Sequence, residues 1–267
     1  MRLMIYLCFA FALPHGDVHE QINALTQTIA QFPDSTMLYL NRGELFMLDE
    51  NFPAAKSDFS TCIGSGMNNS RVFLDVSKLM ESLDIPDSAL YYIDLSLERD
   101  GSYCPSLEWK GLLLFGMERY CESAEIYTRL LSLTYQASPA LYIDASFSSR
   151  NCPESTHTAD EILLQGMSRL GRLHVLEKEL VQVYLNDKKY KEALQVQTEI
   201  IEHWAVKVRP YYERAEIYLL TGNKPAAMDD LSNALQALDA LPAYKSSTPA
   251  MQELRNNIVL LLHQAGN

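Results

Sequence analysis

One phrase of the sequence, Asn-x-Pro-Ala-Ala, occurs twice and constrains the fold more than any other feature. It stands at 51–55 as NFPAA and again at 223–227 as NKPAA. The surrounding residues 42–63 and 214–235 align without a gap, and nine of the 22 positions are identical. Pro53 and Pro225 are 172 residues apart, which is two more than five periods of 34 residues. A period near 34 residues predicts stacked helical hairpins.

Within one period the apolar residues follow helical spacing. Counted from Thr36, large residues occupy slots 4, 11, 17 and 24, and the small residues Gly43 and Ala55 occupy slots 8 and 20. Steps of three and four keep one face of each helix apolar. The pattern resembles the tetratricopeptide repeat (TPR) signature. That resemblance implies an all-α fold, a right-handed solenoid of stacked antiparallel helical hairpins, forming a single elongated unit.

The repeat frame divides the chain into predicted segments. The first is a signal peptide at 1–12, followed by an N-terminal helix or half-repeat at 13–35 and, at the other end, a capping helix at 242–267. Between them lie six repeats at 36–69, 70–103, 104–137, 138–173, 174–207 and 208–241.

The fourth repeat, 138–173, is irregular. Residues 148–155 (SSRNCPES) interrupt the signature and read as a loop, with helix expected to resume near Ala159. Two extra residues here account for the excess over five periods. The segment 148–158 is either a turn insertion or a functional projection, because repeat arrays place insertions on loops.

The N-terminal residues predict export. Met1 and Arg2 precede an apolar run at 3–13, and Ala10-Phe11-Ala12 supplies a small-x-small cleavage pattern. The run is shorter than the ~20 residues that cross a bilayer. The alternatives are a buried N-terminal helix and a misplaced start codon. Export predicts a periplasmic or secreted protein, with a bacterial cell envelope as the expected location.

The cysteines carry no metal or redox motif. If Cys8 is removed with the signal peptide, Cys62, Cys104, Cys121 and Cys152 remain, with no C-x-x-C among them. The repeat frame places Cys121 and Cys152 on one edge of the stack, where they either form a disulfide or remain free thiols. Cys62 occupies a core slot.

Two charged pairs recur sixteen residues apart. Arg42 and Asp58 match Arg214 and Asp230. Across a hairpin, each guanidinium can reach a carboxylate, because partly buried charges are normally paired. These pairs are predicted to be structural ion pairs, and the alternative is a ligand-binding pair.

The TPR resemblance implies a binding surface on the concave face, lined by the first helix of each repeat. Its apolar share favours contact with a protein or peptide, unless curvature buries part of it. A basic carboxylate-binding groove is not predicted, because Leu40 and Glu44 occupy its slots. The candidate partner-binding residues are Met37, Leu40, Glu44, Met47, Leu74, Leu112, Phe115, Tyr142, Leu185, Tyr212, Glu216 and Leu219.

Composition and motifs exclude several classes of function. A net charge of −12 and a pI near 4.9 disfavour nucleic acid and anionic lipid, so membrane association is expected only through a partner. There is no nucleophile elbow, metalloprotease helix, phosphate loop or EF-hand loop. The six histidines are scattered, and His15 and His19 lack a third ligand. No metal, cofactor or enzymatic activity is predicted.

These observations predict a non-catalytic scaffold or adaptor that binds a peptide or partner protein. The alternative is a cell-envelope accessory protein that captures a glycan or other small ligand, with Phe115, Tyr142 and Tyr212 stacking on sugars. The identity of the partner and the oligomeric state do not follow from the sequence.

Overall fold

The computed structural model describes residues 17–134 and 137–266, and every regular element in these ranges is an α-helix. Contacts divide the described residues into two compact units. Unit 1 comprises those up to Ala137 together with Ser148–Thr156, and unit 2 comprises Ser138–Phe147 together with those from His157 onward. The division falls inside the irregular fourth repeat.

Unit 1 contains seven whole helices among its described residues. They are α1 (Val18–Gln31), α2 (Thr36–Leu48), α3 (Phe52–Gly64), α4 (Ser70–Ser82), α5 (Pro86–Arg99), α6 (Cys104–Gly116) and α7 (Tyr120–Leu133). Helix α8 (Pro139–Arg150) begins in unit 2 and ends in unit 1. The remaining helices of unit 2 are α9 (Ala159–Leu170), α10 (His174–Asn186), α11 (Tyr190–His203), α12 (Val208–Leu220), α13 (Lys224–Asp239), α14 (Ala243–Ser246) and α15 (Pro249–Gly266).

Five hairpins share one turn geometry. In each turn one residue has a positive φ of 55° to 76°. The N–H of the residue that follows it donates to the carbonyl oxygen of the residue five positions earlier in the chain. This six-to-one hydrogen bond satisfies a carbonyl at the end of the first helix, as in the Schellman motif. The positive-φ residues are Glu50, Asp84, Glu118, Lys188 and Gly222.

The repeated Asn-x-Pro-Ala-Ala phrase is the start of a second helix. The Asn51 side chain accepts a hydrogen bond from the Ala54 N–H at 3.4 Å, and Asn223 accepts one from Ala226 at 3.3 Å. Each proline lies in the first turn, where a missing N–H costs no intrahelical bond. The last alanine of each copy is fully buried against the first helix.

Aromatic rings pack against glycines where paired helices approach most closely. A Cβ placed on Gly43 would lie 2.5 Å from Cε1 of Phe59, and one on Gly111 would lie 2.5 Å from Cε1 of Tyr127. In both pairs the glycine belongs to the first helix and the ring to the second. The fourth repeat reverses this order: its ring is Tyr142 on α8, and its glycine is Gly166 on α9.

The end of α8 differs from expectation. Residues 148–150, predicted to lie in a loop, form its last turn, and α9 begins at Ala159 as predicted. Ser148 and Ser149 are buried, and the Ser148 hydroxyl lies 3.1 Å from that of Ser123. The helix therefore continues through small polar residues that are packed inside, which the apolar periodicity does not reveal.

We expect Gly111→Ala to destabilise unit 1 by about 1–3 kcal/mol, because the new methyl group overlaps the buried ring of Tyr127. Urea denaturation would measure the change. Gly64→Ala is the matched control: nothing lies within 4 Å of its Cβ position. Equal stability of the two variants would show that the close approach is not required.

Candidate functional site

The structure leaves nine of the twelve candidate partner-binding residues at least partly exposed. Five lie on first helices of unit 1 and four on first helices of unit 2, and we call these sets the first-helix faces. The unit 1 face consists of Met37, Glu44, Met47, Leu112 and Phe115, and the unit 2 face of Leu185, Tyr212, Glu216 and Leu219.

Leu40 and Leu74 do not lie on the surface and cannot contact a partner. Leu40 is fully buried in a cluster with Phe59 and Phe73, and Leu74 is 4% exposed in a cluster with Ile93. Both leucines sit at slot 5 of their repeats. The next first helix packs beside this slot, α4 beside α2 and α6 beside α4, and covers it.

Tyr142 is also buried, with no exposed side-chain surface. Its ring lies against Gly166, so that a Cβ on that glycine would lie 2.8 Å from Cγ of the tyrosine. Tyr142 is therefore the aromatic half of a hairpin contact, and it is unavailable to a protein or a sugar. Phe115 keeps partial exposure and packs edge-on against Tyr120 at a centroid distance of 5.8 Å.

The unit 1 face carries a charged cluster of which the sequence analysis had identified only Glu44. Arg71 donates to both carboxylate oxygens of Glu44 at 2.7 Å and to Asn41 Oδ1 at 3.4 Å. Beside them lies Asp75, which is 8% exposed, with its Oδ2 buried and without a hydrogen-bond partner among the described residues. The Lys78 ammonium is 3.9 Å away from Asp75.

Asp75 has an unusual proton affinity. Burial, followed by the charge of Glu44, raises its pKa to about 7, and Lys78 opposes this only in part. A protonated Asp75 can donate to Glu44, and its carbonyl oxygen then lacks a partner at lower cost than a carboxylate oxygen would. Below pH 7 the cluster is therefore mainly a neutral acid beside an arginine-bound carboxylate, and near pH 7 Asp75 is about half ionised.

The two predicted ion pairs are structural joints with the same geometry. Arg42 donates to both oxygens of Asp58 at 2.8 Å, and Arg214 donates to both oxygens of Asp230 at 2.7 and 2.8 Å. Both aspartates are 3% exposed. Hydrogen bonding to the carboxylate raises the pKa of each arginine.

Each of these arginines also reaches the preceding second helix. Arg42 donates to Thr26 Oγ1 at 3.1 Å, and Arg214 donates to Thr198 Oγ1 at 2.9 Å. The threonines stand sixteen residues before the arginines, a spacing that was present in the sequence and was missed. With their donors directed at structural partners, these arginines are poorly placed to bind a ligand.

Cys121 and Cys152 form a disulfide with a Cα–Cα distance of 4.8 Å. It connects the first turn of α7 to the turn that follows α8, within unit 1. Cys62 is buried and its pKa is raised to about 11, chiefly by burial, which makes it a poor nucleophile. Cys104 is a partly exposed free thiol.

The described residues offer no metal centre. No group of three His, Cys, Asp or Glu side chains in 17–134 and 137–266 is placed to hold an ion. His19 pairs with Asp49 at 3.4 Å, whereas His15 and the predicted signal peptide lie outside the described residues. Within those same ranges, no helix has the length and hydropathy to cross a bilayer.

Comparison with known proteins identifies the fold. No protein-family model and no curated protein matches the sequence. The C-terminal part of a TPR repeat-containing protein from Cytophaga hutchinsonii matches with a TM-score of 0.68 at 13% identity, over 89% of this chain and 94% of that one. The fold is TPR-like.

Two further solved structures agree. A TPR protein from Parabacteroides merdae matches with a TM-score of 0.52 at 16% identity, over 94% of this chain and 93% of that one. YrrB, a TPR protein with an unusual peptide-binding site, matches with a TM-score of 0.52 at 17% identity, over 68% and 93%. The predicted TPR-like, all-α arrangement of stacked antiparallel helix pairs is confirmed, and identities this low carry the likeness no further than the fold.

The TPR-like unit 1 should lose stability as pH rises through neutrality. A folded pKa of about 7 for Asp75, above the usual ~3.9, means that protonation favours the folded state. The stabilisation is complete below about pH 4 and is lost as pH rises through about 7. Asp75→Asn should remove this component, worth a few kcal/mol at most, so its Tm should rise relative to that of the unaltered protein between about pH 4 and pH 7 and exceed it by a constant amount at higher pH.

Thermal unfolding from pH 5 to pH 9 would test this expectation. Asp34→Asn, at an exposed turn, is the control and should follow the unaltered protein. Parallel pH profiles for all three proteins would contradict an uncharged, buried Asp75.

Proposed function

We propose that this TPR-like chain is a non-catalytic scaffold that binds a peptide or partner protein on its first-helix faces. The observation that carries the proposal is that the first helices keep apolar side chains exposed on one side while their other side packs in the core. Met37 is 45% exposed, and Met47, Leu112 and Phe115 remain partly exposed on the same face. Methionine and aromatic side chains are favoured at protein interfaces because they give large, adaptable contact area.

The fold supports the same role. TPR proteins generally bind proteins or peptides, and YrrB has a peptide-binding site. Peptide recognition by helical surfaces relies on apolar anchors with polar residues around them. The unit 1 face combines both, since its four apolar residues accompany Glu44 and the arginine that holds it.

A glycan-capturing role is less well supported. It relied on three aromatic side chains, and Tyr142 is buried beneath Gly166. The other two belong to different units, Phe115 to unit 1 and Tyr212 to unit 2. Each unit therefore offers one of the three candidate rings, and we propose a protein or peptide as the ligand.

We propose further that the protein is exported and acts in the periplasm or outside the cell. The N-terminal sequence has the features of a cleavable signal peptide. The Cys121–Cys152 disulfide supports the same location, because such bonds persist in oxidising compartments. Membrane association would then be peripheral and mediated by the partner.

The scaffold role can be tested by capture from an envelope extract, identification by mass spectrometry and reconstitution with the purified partner. Met37→Glu should weaken that binding by about tenfold or more, because it places a charge in an apolar contact. Leu133→Glu is the control: it changes an exposed leucine on the second helix α7. Equal loss in both variants, or undiminished binding by Met37→Glu, would count against the first-helix face.

Export predicts two covalent features of the protein isolated from its native host. Cleavage after Ala12 should give an N-terminus at Leu13, and non-reducing peptide mapping should recover Cys121 linked to Cys152. Cys62 and Cys104 should be alkylated without reduction, Cys62 only after unfolding. An unprocessed N-terminus with four free thiols would contradict export.

A further inference from the structure

Unit 2 contains a pocket between α10, α11 and α12, and two of its lining residues, Leu185 and Glu216, belong to the unit 2 face. Its base is apolar, with Val181 and Ile217 buried to 3% and 2% exposure. Leu185 and the exposed Leu220 extend this apolar surface towards solvent. Two carboxylates, Glu213 and Glu216, line the same pocket from α12.

Each carboxylate has an uncharged polar neighbour. Gln197, which is 1% exposed, donates from Nε2 to Glu213 at 3.2 Å and to the Pro210 carbonyl at 3.0 Å. The Tyr212 hydroxyl is a neighbour of Glu216, and burial together with this carboxylate raises the pKa of the tyrosine to about 12. Glu213 is therefore held by a buried amide beside an apolar surface, and Glu216 lies on the same helix and is exposed.

Neither carboxylate has a cation within ion-pair distance among the described residues, although Lys178 lines the same pocket and the charge of Arg209 acts on Glu216. The ion pairs formed by the described residues of unit 2 include Glu177 and Glu199 with Arg172, and Asp230 with Arg214, but neither Glu213 nor Glu216. Partial loss of hydration raises the pKa of Glu216, and the charge of Glu213 adds to this despite Tyr212 and Arg209. The lining of the pocket therefore has two carboxylates and one ammonium group, that of Lys178.

We propose that this pocket binds the side chain of an arginine or lysine supplied by the partner peptide. The methylene groups of such a side chain would cover the apolar base, and its cationic end would meet the two carboxylates. Basic side chains commonly divide in this way between apolar and polar surroundings. An acidic side chain fits less well, because two carboxylates face only one cation of the lining, Lys178. The inference deepens the proposed function and rests on it, since it names one chemical requirement of the partner.

The test is a titration of the protein with the capped tripeptide acetyl-Leu-Arg-Leu-amide, followed by NMR. We expect saturable shifts at the residues that line the pocket. The citrulline tripeptide, which has the same shape without the charge, should bind at least about tenfold more weakly, about 1.4 kcal/mol. A third tripeptide, with glutamate at the central position, is included for comparison. The proposal would be overturned if the arginine and citrulline tripeptides bound equally or if the glutamate tripeptide bound more tightly. It would also be overturned if the shifts were confined to other surfaces or if none were seen.

A double variant tests the residues directly. Glu213→Gln with Glu216→Gln should abolish the preference for arginine over citrulline. Glu192→Gln with Glu202→Gln removes the same charge from exposed positions on α11 and should leave the preference intact. Leu220→Arg, at a position that is 63% exposed, provides a second variant that leaves the carboxylates in place. Its own guanidinium should compete for the pocket and weaken binding of the arginine tripeptide.

These results separate the pocket from the scaffold. A purified partner that binds normally to the double glutamine variant and is lost from Met37→Glu would sustain the scaffold and refute the pocket. Selective binding of the arginine tripeptide, with no partner protein recovered from native extract, would sustain the pocket and refute the scaffold.

Discussion

The close packing of an aromatic ring on a glycine is the contact on which the rest of the structure depends. Where Phe59 covers Gly43 and Tyr127 covers Gly111, the two helices of a hairpin approach to a distance that a single methyl group would prevent. That distance decides which slots of the first helix are covered by neighbours and which remain open. The first-helix faces are consequently a product of the hairpin contacts beneath them.

The reversal of this contact in the fourth repeat explains the main error of the sequence analysis. The repeat frame placed Tyr142 on the binding face because it counted slots from the first helix. In the structure the ring and the glycine have exchanged helices, so Tyr142 became core and Gly166 became the small partner. A repeat frame derived from regular repeats does not indicate such an exchange. An aromatic residue on the first helix of an irregular repeat, with a glycine on its second helix, is the sequence feature that suggests it.

The other features of the fold could be predicted from the sequence where their cause is local and could not where their cause is tertiary. The Asn-x-Pro-Ala-Ala joints and the start of α9 were predictable, because capping, proline placement and periodicity act over a few residues. The burial of Leu40 and Leu74 was not, because it depends on how closely successive first helices pack. The proton affinity of Asp75 depends on a desolvated position beside Glu44, which no spacing in the sequence indicates.

The arginine joints carry an implication for how such a chain could be lengthened or recombined. Each guanidinium holds the second helix of its own hairpin through an aspartate and the previous hairpin through a threonine. A hairpin copied elsewhere would take its arginine and aspartate with it and leave the threonine behind. Duplication of one repeat thus preserves the internal joint automatically, while the junction with its new neighbour must be rebuilt by a separate change.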